Sequence, residues 1–233
     1  MIPRQSLSNR IVHWSVAISA FGLILTGIGQ LSAYKLYIGS DTPSYAAQYN
    51  ITFWAHCALA IVLIAAIAYH ITVHFLRREF DILPRIGDFA ASVMDIRAMI
   101  KGGEEPQSEK YLPEQRLSYA LISLIFLVLI VTGLVKMWEN MPGVTASDSV
   151  LFWSAQIHNF AAILLIFGIV AHLAFFAFKA NRELLRAMLH GKVPAEYVLR
   201  RHSLWKEGSK AAKKPLPSER ESETETAKSA EKN

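Results

Sequence analysis

Histidine is the residue type in this sequence best suited to chemistry. Eight occur: His13, His56, His70, His74, His158, His172, His190 and His202. The first six lie within or at the ends of long apolar runs. An ionisable side chain in hydrocarbon is costly and marks a functional site by default. Neutral imidazole can ligate a metal, relay a proton or hydrogen-bond a quinone. A single intramembrane histidine can do no more than bond a neighbouring helix; six together point to a shared task.

Their spacing narrows the task. His158 and His172 are fourteen residues apart, as are His56 and His70. On a helix, that separation advances ~21 Å and returns to within ~40° of the same face. Two imidazoles thus project from one helix face at two levels. Two stacked haems, each held between imidazoles of facing helices, need this arrangement. No Cys-x-x-Cys-His occurs, so attachment would be non-covalent and the haems b-type. At one level only His56 and His158 are available. At the other, His172 has three candidate partners, His13, His70 and His74, and spacing alone does not choose between them.

The elements that position these residues are four apolar runs, about Ile11–Leu31, Thr52–Phe75, Leu117–Val135 and Leu151–Phe178, each nineteen residues or longer and free of Asp, Glu, Lys and Arg. Each is long enough to span ~30 Å of hydrocarbon. They predict an all-α integral membrane protein, a four-transmembrane-helix bundle holding two haems. The chain is 52% hydrophobic, too apolar for an ordinary soluble domain of 233 residues. Alternating ten-residue segments of a membrane strand barrel are absent. The first run is longer than a signal-peptide core and is read as a retained helix. The single cysteine, Cys57, allows no internal disulfide and no thiolate pair for a metal.

Basic residues set the expected orientation. Arg77, Arg78, Arg85, Arg97, Lys101, Lys110 and Arg116 fall between the second and third runs, and Lys179, Arg182, Arg186, Lys192, Arg200, Arg201 and Lys206 follow the fourth. The other two connections hold only Lys35 and Lys136. The positive-inside rule puts both termini and the long connection in the cytoplasm. The net charge of +5 is this bias, and no basic groove with interleaved aromatics suggests nucleic acid. Residues 1–206 are expected to form the membrane domain. Residues 207–233, of mixed charge and without apolar period, are expected to be a mobile tail.

A weak internal repeat relates the runs. The first and third end in "LTGIG" (Leu25–Gly29) and "VTGLV" (Val131–Val135); the second and fourth begin "FWAH" (Phe53–His56) and "FWSAQIH" (Phe152–His158). Gly27 and Gly133 allow close approach of a neighbouring helix or a flat cofactor.

In order along the chain, "RIVHW" at Arg10–Trp14, one histidine at the head of the second run, "IH" and "AH" in the fourth, Lys110, Tyr111 and Gln115 before the third, "GKV" at Gly191–Val193 and a closing "LWKE" form a pattern. It resembles the cytochrome b (gamma) subunit of membrane-bound formate dehydrogenases of the nitrate-inducible type, within a wider family that includes nickel–iron hydrogenase cytochrome b subunits. The resemblance covers roughly residues 8 to 206. It implies two haems b, with His56 and His158 on the outer iron and His13 and His172 on the inner, and so favours His13 over His70. It further implies an iron–sulfur (beta) subunit and a catalytic subunit as partners, menaquinone or ubiquinone as substrate, and a bacterial inner-membrane location. His70 and His74 would lie near the inner haem edge. The formate branch reads "KYN-small-GQ" before the third run; here the segment is Lys110-Tyr111-Leu112-Pro113-Glu114-Gln115. Tyr111, Glu114 and Gln115, with His70 and His74, are the expected quinone or inner-haem-edge residues. An alternative role for Glu114 and Gln115 is to cap the third helix after Pro113.

The expected function is that of an electron-transfer anchor. Electrons arrive from the iron–sulfur partner on the outer face, docked at Tyr34–Asn50 and Trp138–Ser149, and leave to quinone at the cytoplasmic side. The alternatives are a hydrogenase or other molybdopterin-oxidoreductase cytochrome b, a histidine-relay transporter, and a structural anchor. No nucleophile–base motif or nucleotide loop is present, so substrate oxidation is expected in another subunit.

Overall fold

Four long helices carry the architecture, because a backbone in hydrocarbon must satisfy its own hydrogen bonds. The computed structural model describes residues 1–31, 43–103 and 106–213. In it α1 spans Leu7–Ile28, α2 Pro43–Arg77, α3 Asp88–Lys101, α4 Pro113–Glu139 and α5 Asp148–Ala174. Beyond α5 lie two short 3₁₀ turns, then α6 (Arg182–His190), α7 (Ala195–Arg201) and α8 (Lys206–Ala212). β1 (Ile2–Pro3) pairs antiparallel with β2 (Lys192–Val193). Among the described residues, four helices, α1, α2, α4 and α5, are long and apolar enough to cross a membrane.

All four long helices start ahead of their apolar runs, because the backbone ladder reaches into the polar interface, while α1 and α5 end short of theirs, α5 at Ala174 rather than Phe178. So α2 begins at Pro43, not Thr52, and α4 extends from Pro113 to Glu139, not Leu117 to Val135. Caps set the true starts. Ser6 Oγ accepts from the Asn9 N–H at 3.1 Å, and Ser147 Oγ accepts from the Val150 N–H at 3.4 Å. α1 stops at Ile28, short of Leu31, where Gly27 and Gly29 weaken the last turn.

The long helices pack as two hairpins, α1 with α2 and α4 with α5, which is the sequence repeat in three dimensions. Between the two histidine levels their shared contact is Ala20, Leu63, Ile125, Phe126 and Leu165. The outward faces are apolar and exposed, as at Leu25, Ile61, Leu127 and Phe167, the pattern of helices solvated by lipid.

At the end of the bundle that holds the N-terminus and α8, the terminus end, the chain builds a separate cap. Its core is Ile2, Leu112, Leu184, Ala187, Val193, Tyr197 and Val198, with Phe176 and Trp205 against it. Gly191 joins its parts. It ends α6 with φ +82°, and a Cβ there would meet the Gln5 carbonyl oxygen at 2.9 Å. Its own carbonyl accepts from the backbone N–H of Arg4 (2.8 Å) and Gln5 (3.1 Å). The "GKV" motif is thus the seam that ties the N-terminus to the segment after α6.

The cap also buries charge. α3 turns Asp88, Ser92 and Asp95 inward while Phe89, Val93 and Ile100 are exposed. Arg116 grips Asp88 with two bonds, Nε to Oδ2 at 2.8 Å and Nη2 to Oδ1 at 2.6 Å. These bonds hold the Asp88 carboxyl below its usual range. Arg201, fully buried, lies 3.3 Å from Asp95 and 3.7 Å from Glu114.

The expected tail boundary at residue 207 needs correction. α8 continues the fold through Ala212, with Gly208 and Ser209 buried and Ser209 Oγ donating to the Ser203 carbonyl at 2.8 Å. Small residues there pack on Trp205, which local composition does not reveal. Residues 214–233 lie outside the described residues.

Candidate functional site

The histidines form two facing pairs, one at each end of the bundle. At the end away from the termini, the loop end, the rings of His56 (α2) and His158 (α5) have centroids 6.4 Å apart. At the terminus end, those of His13 (α1) and His172 (α5) are 6.3 Å apart. Two metal–imidazole bonds of ~2 Å, plus about 1 Å from each nitrogen to its ring centre, place such centroids ~6 Å apart. Both pairs therefore have the separation that one metal ion held between two imidazoles requires. α5 supplies one histidine to each pair because its fourteen-residue spacing keeps both on one face.

The loop-end pair is furnished symmetrically. Thr26 Oγ1 lies 2.9 Å from His56 Nδ1, and Thr132 Oγ1 lies 2.8 Å from His158 Nδ1. Each threonine comes from the other helix of the histidine's own hairpin. The adjacent glycines keep the backbone clear: a Cβ at Gly27 would reach the His56 ring edge at 3.5 Å, and one at Gly133 the His158 ring edge at 3.4 Å. Small residues next to a histidine pair leave space for a flat ring between helices. The donor set, neutral imidazoles in an apolar frame, fits haem iron.

The terminus-end pair is set differently. His13 Nδ1 is buried with no hydrogen-bond partner among the described residues. Its ring meets Trp14 edge-on at 5.4 Å, and the His172 ring meets Phe176 edge-on at 5.5 Å. Phe176 packs on the cap cluster that includes Leu112. Phe176 therefore links His172 to the cap core.

His70 and His74 do not face His172. They lie against each other with their rings tilted by 53° and their centroids 4.2 Å apart. His70 Nε2 lies 3.2 Å from the Tyr119 hydroxyl, and His74 Nδ1–H donates to the Glu79 carbonyl at 2.9 Å. His74 Nε2 is buried without a partner among the described residues. Sequence reasoning missed Tyr119, which lies one helical turn beyond Gln115 on α4.

The residues before α4 are largely engaged within the protein. Gln115 Oε1 accepts from the Leu112 N–H at 3.1 Å, closing the first turn behind Pro113. Glu114 is buried beside Arg201 and Asp95 rather than directed at the histidines. Tyr111 lies under the Lys110 ammonium, 5.4 Å from its ring centre, and gives its carbonyl to Arg116. The contacts match the capping role for Gln115 and not for Glu114. Of the loop-end aromatics, Tyr34 and Tyr37 lie outside the described residues; Tyr49 and Trp138 are exposed.

The two remaining histidines belong to the cap. His202 is fully buried. Its Nδ1–H donates to the Glu109 carbonyl at 2.6 Å, and its Nε2 accepts from the Tyr197 hydroxyl at 3.3 Å. Burial, aided by the Arg4 charge, pushes its pKa down to about 3. His190 closes α6.

A family model described as prokaryotic cytochrome b561 matches residues 4–191. The chain belongs to that family. A cytochrome b carries haem b and works in electron transport, and the histidine pairs are residues able to hold it. The relatives of this cytochrome include the nitrate-inducible formate dehydrogenase cytochrome b556(Fdn) subunit of Escherichia coli K12, 26% identical over 210 residues, covering 88% of this chain and 90% of that one. The same subunit of Shigella flexneri matches equally. The formate dehydrogenase cytochrome b556(fdo) subunit of Escherichia coli K12 is 26% identical over 206 residues, covering 88% and 91%.

Proposed function

We propose that this cytochrome b is the di-haem membrane subunit of a respiratory oxidoreductase, most simply a formate dehydrogenase, passing electrons between an iron–sulfur subunit and a quinone pool. One observation carries the reading: two histidine pairs of equal separation, 6.4 and 6.3 Å, at two levels of one bundle. His56 and His158 hold one haem and His13 and His172 the other. Haem supplies one-electron chemistry when bound. The chain's own residues fix axial ligation, exclude water and set the distance between levels.

The basic residues of the cap support a cytoplasmic terminus end, here in a bacterial inner membrane, with the loop end facing outward. The iron–sulfur subunit, which links this chain to the catalytic subunit, docks there. Its footprint includes the exposed Tyr49 and Trp138. Quinone, menaquinone or ubiquinone, binds at the terminus end between α2 and α4. A quinone needs an apolar slot with a few polar groups at its carbonyls. His70, His74 and Tyr119 offer those groups there, with Tyr111 at the rim. Gln115 and Glu114 support the slot from behind, one as a helix cap and one within the buried charge cluster.

Stopped-flow oxidation tests this reading. The purified protein, reduced with dithionite and mixed with a water-soluble menaquinone analogue, is expected to reoxidise both haems. His74→Ala and Tyr119→Phe are expected to slow reoxidation while both haems stay bound. A wild-type protein that binds haem but is not reoxidised by quinone would refute the quinone assignment.

A further inference from the structure

The repeat at the loop end does more than bring helices close. Thr26 Oγ1 lies 2.8 Å from the Gly22 carbonyl oxygen, and Thr132 Oγ1 lies 2.7 Å from the Val128 carbonyl oxygen. A threonine hydroxyl has one proton. In each case the carbonyl four residues back takes that proton. The oxygen then faces His56 Nδ1 at 2.9 Å or His158 Nδ1 at 2.8 Å as an acceptor only. With the threonine oxygen as acceptor, each imidazole carries its hydrogen on Nδ1 and leaves its lone pair on Nε2. His13, at the terminus end, has a buried Nδ1 with no such acceptor among the described residues.

We infer that Thr26 and Thr132 are paired positioning residues that lock the tautomer of both loop-end haem ligands and lower the potential of that haem alone. This rests on the di-haem reading above. A ligand imidazole that donates its second N–H becomes a stronger base toward the metal. A stronger donor stabilises ferric over ferrous iron, which lowers the reduction potential. Because the two threonines occupy matching places in the two hairpins, each acts on one face of the same haem, and the two contributions add. The terminus-end haem is the internal control within the same molecule.

The test is a spectroscopic redox titration of the purified holoprotein, with haem content measured by pyridine haemochromogen. Thr26→Val and Thr132→Val keep the side chain's shape and remove the hydroxyl; Thr26→Ser and Thr132→Ser keep the hydroxyl. In each valine variant one of the two haem components is expected to move to higher potential, and further in the double variant. The other component stays in place, and the serine variants titrate like wild type. Loss of one haem in a valine variant that the serine variant retains supports the same role, since only the hydroxyl distinguishes it. Components unmoved or lowered in the valine variants overturn the inference, as do serine variants that shift or lose haem like the valine ones. A wild-type protein without two haems overturns the di-haem reading instead.

Discussion

The two histidine pairs are nearly identical in separation and opposite in surroundings. At the loop end, His56 and His158 each lean on a threonine from the partner helix of their hairpin. At the terminus end, His13 and His172 have aromatic neighbours, Trp14 and Phe176. They sit above a folded cap with its own core and its own buried ion pairs. The loop-end pair is held from within the membrane bundle by the repeat. The terminus-end pair is held from below by elements that break the repeat. In the proposed di-haem reading, this asymmetry gives two equal ligand pairs different outer-shell partners.

The sharpest way to break the comparison is to remove one ligand at each level. His56→Ala or His158→Ala is expected to lower bound haem from two to one per chain while the terminus-end haem persists. His13→Ala or His172→Ala is expected to do the converse. Pyridine haemochromogen assay of the four variants measures this. Retention of two haems in all four would dissolve both pairs as ligand sets.

The next effect separates cap from bundle. Arg116→Ala leaves Asp88 buried without its bidentate partner. Breaking a buried pair this way costs about 3–5 kcal/mol. The cost falls on the α3–α4 contact in the cap, so the terminus-end haem is expected to be lost first on heating, while the loop-end haem keeps its wild-type transition. Thermal melts followed at the two haem bands resolve the order; simultaneous loss at the wild-type temperature would contradict it.

Much of this asymmetry was legible in the sequence, but not evenly. Helix number and histidine levels followed from apolar runs and fourteen-residue spacing, because both depend on helix geometry alone. The partner of His172 was left open by spacing, since His13, His70 and His74 share a level. The family resemblance favours His13, and the packing sets the His13 ring across from His172 and turns His70 onto His74 and Tyr119. The "TG" pairs at Thr26-Gly27 and Thr132-Gly133 stood in matching positions, yet only the glycines drew notice. A threonine in a membrane helix commonly bonds its own backbone, so its second bond to histidine is a tertiary fact. Glu114 and Gln115 read either as quinone contacts or as caps of the helix after Pro113; in the fold Glu114 lies 3.7 Å from Arg201, 87 residues away, and Gln115 bonds the Leu112 N–H, three residues away.

A smaller effect sharpens the cap's independence. His202 is held neutral in the fold with a pKa of about 3, whereas an unfolded histidine titrates near ~6.5. The open cap thus binds a proton that the folded cap refuses. Stability from this group is intact above ~6.5 and is lost progressively as pH falls from there toward the folded value. Protection factors of the amides at residues 195–212, corrected for the intrinsic pH dependence of exchange, are expected to fall between about pH 6 and pH 4, with those of the α4–α5 hairpin unchanged. An equal fall in both regions would show that the cap does not open separately.

The smallest effect concerns Gln115. Gln115→Ala removes one helix-start bond, worth about 1 kcal/mol. Its expected signature is a slightly lower melting temperature with quinone reoxidation of the haems unchanged. Slowed reoxidation at unchanged stability would instead return Gln115 to the quinone site.

The central claim is that one chain holds two haems, each between two imidazoles. Low-temperature electron paramagnetic resonance of the oxidised, purified protein, quantified against haem content, tests it most directly. Two distinct low-spin ferric signals, each integrating to one spin per chain, are the predicted result. A single low-spin signal, or a high-spin signal from a five-coordinate iron in the intact protein, would contradict it.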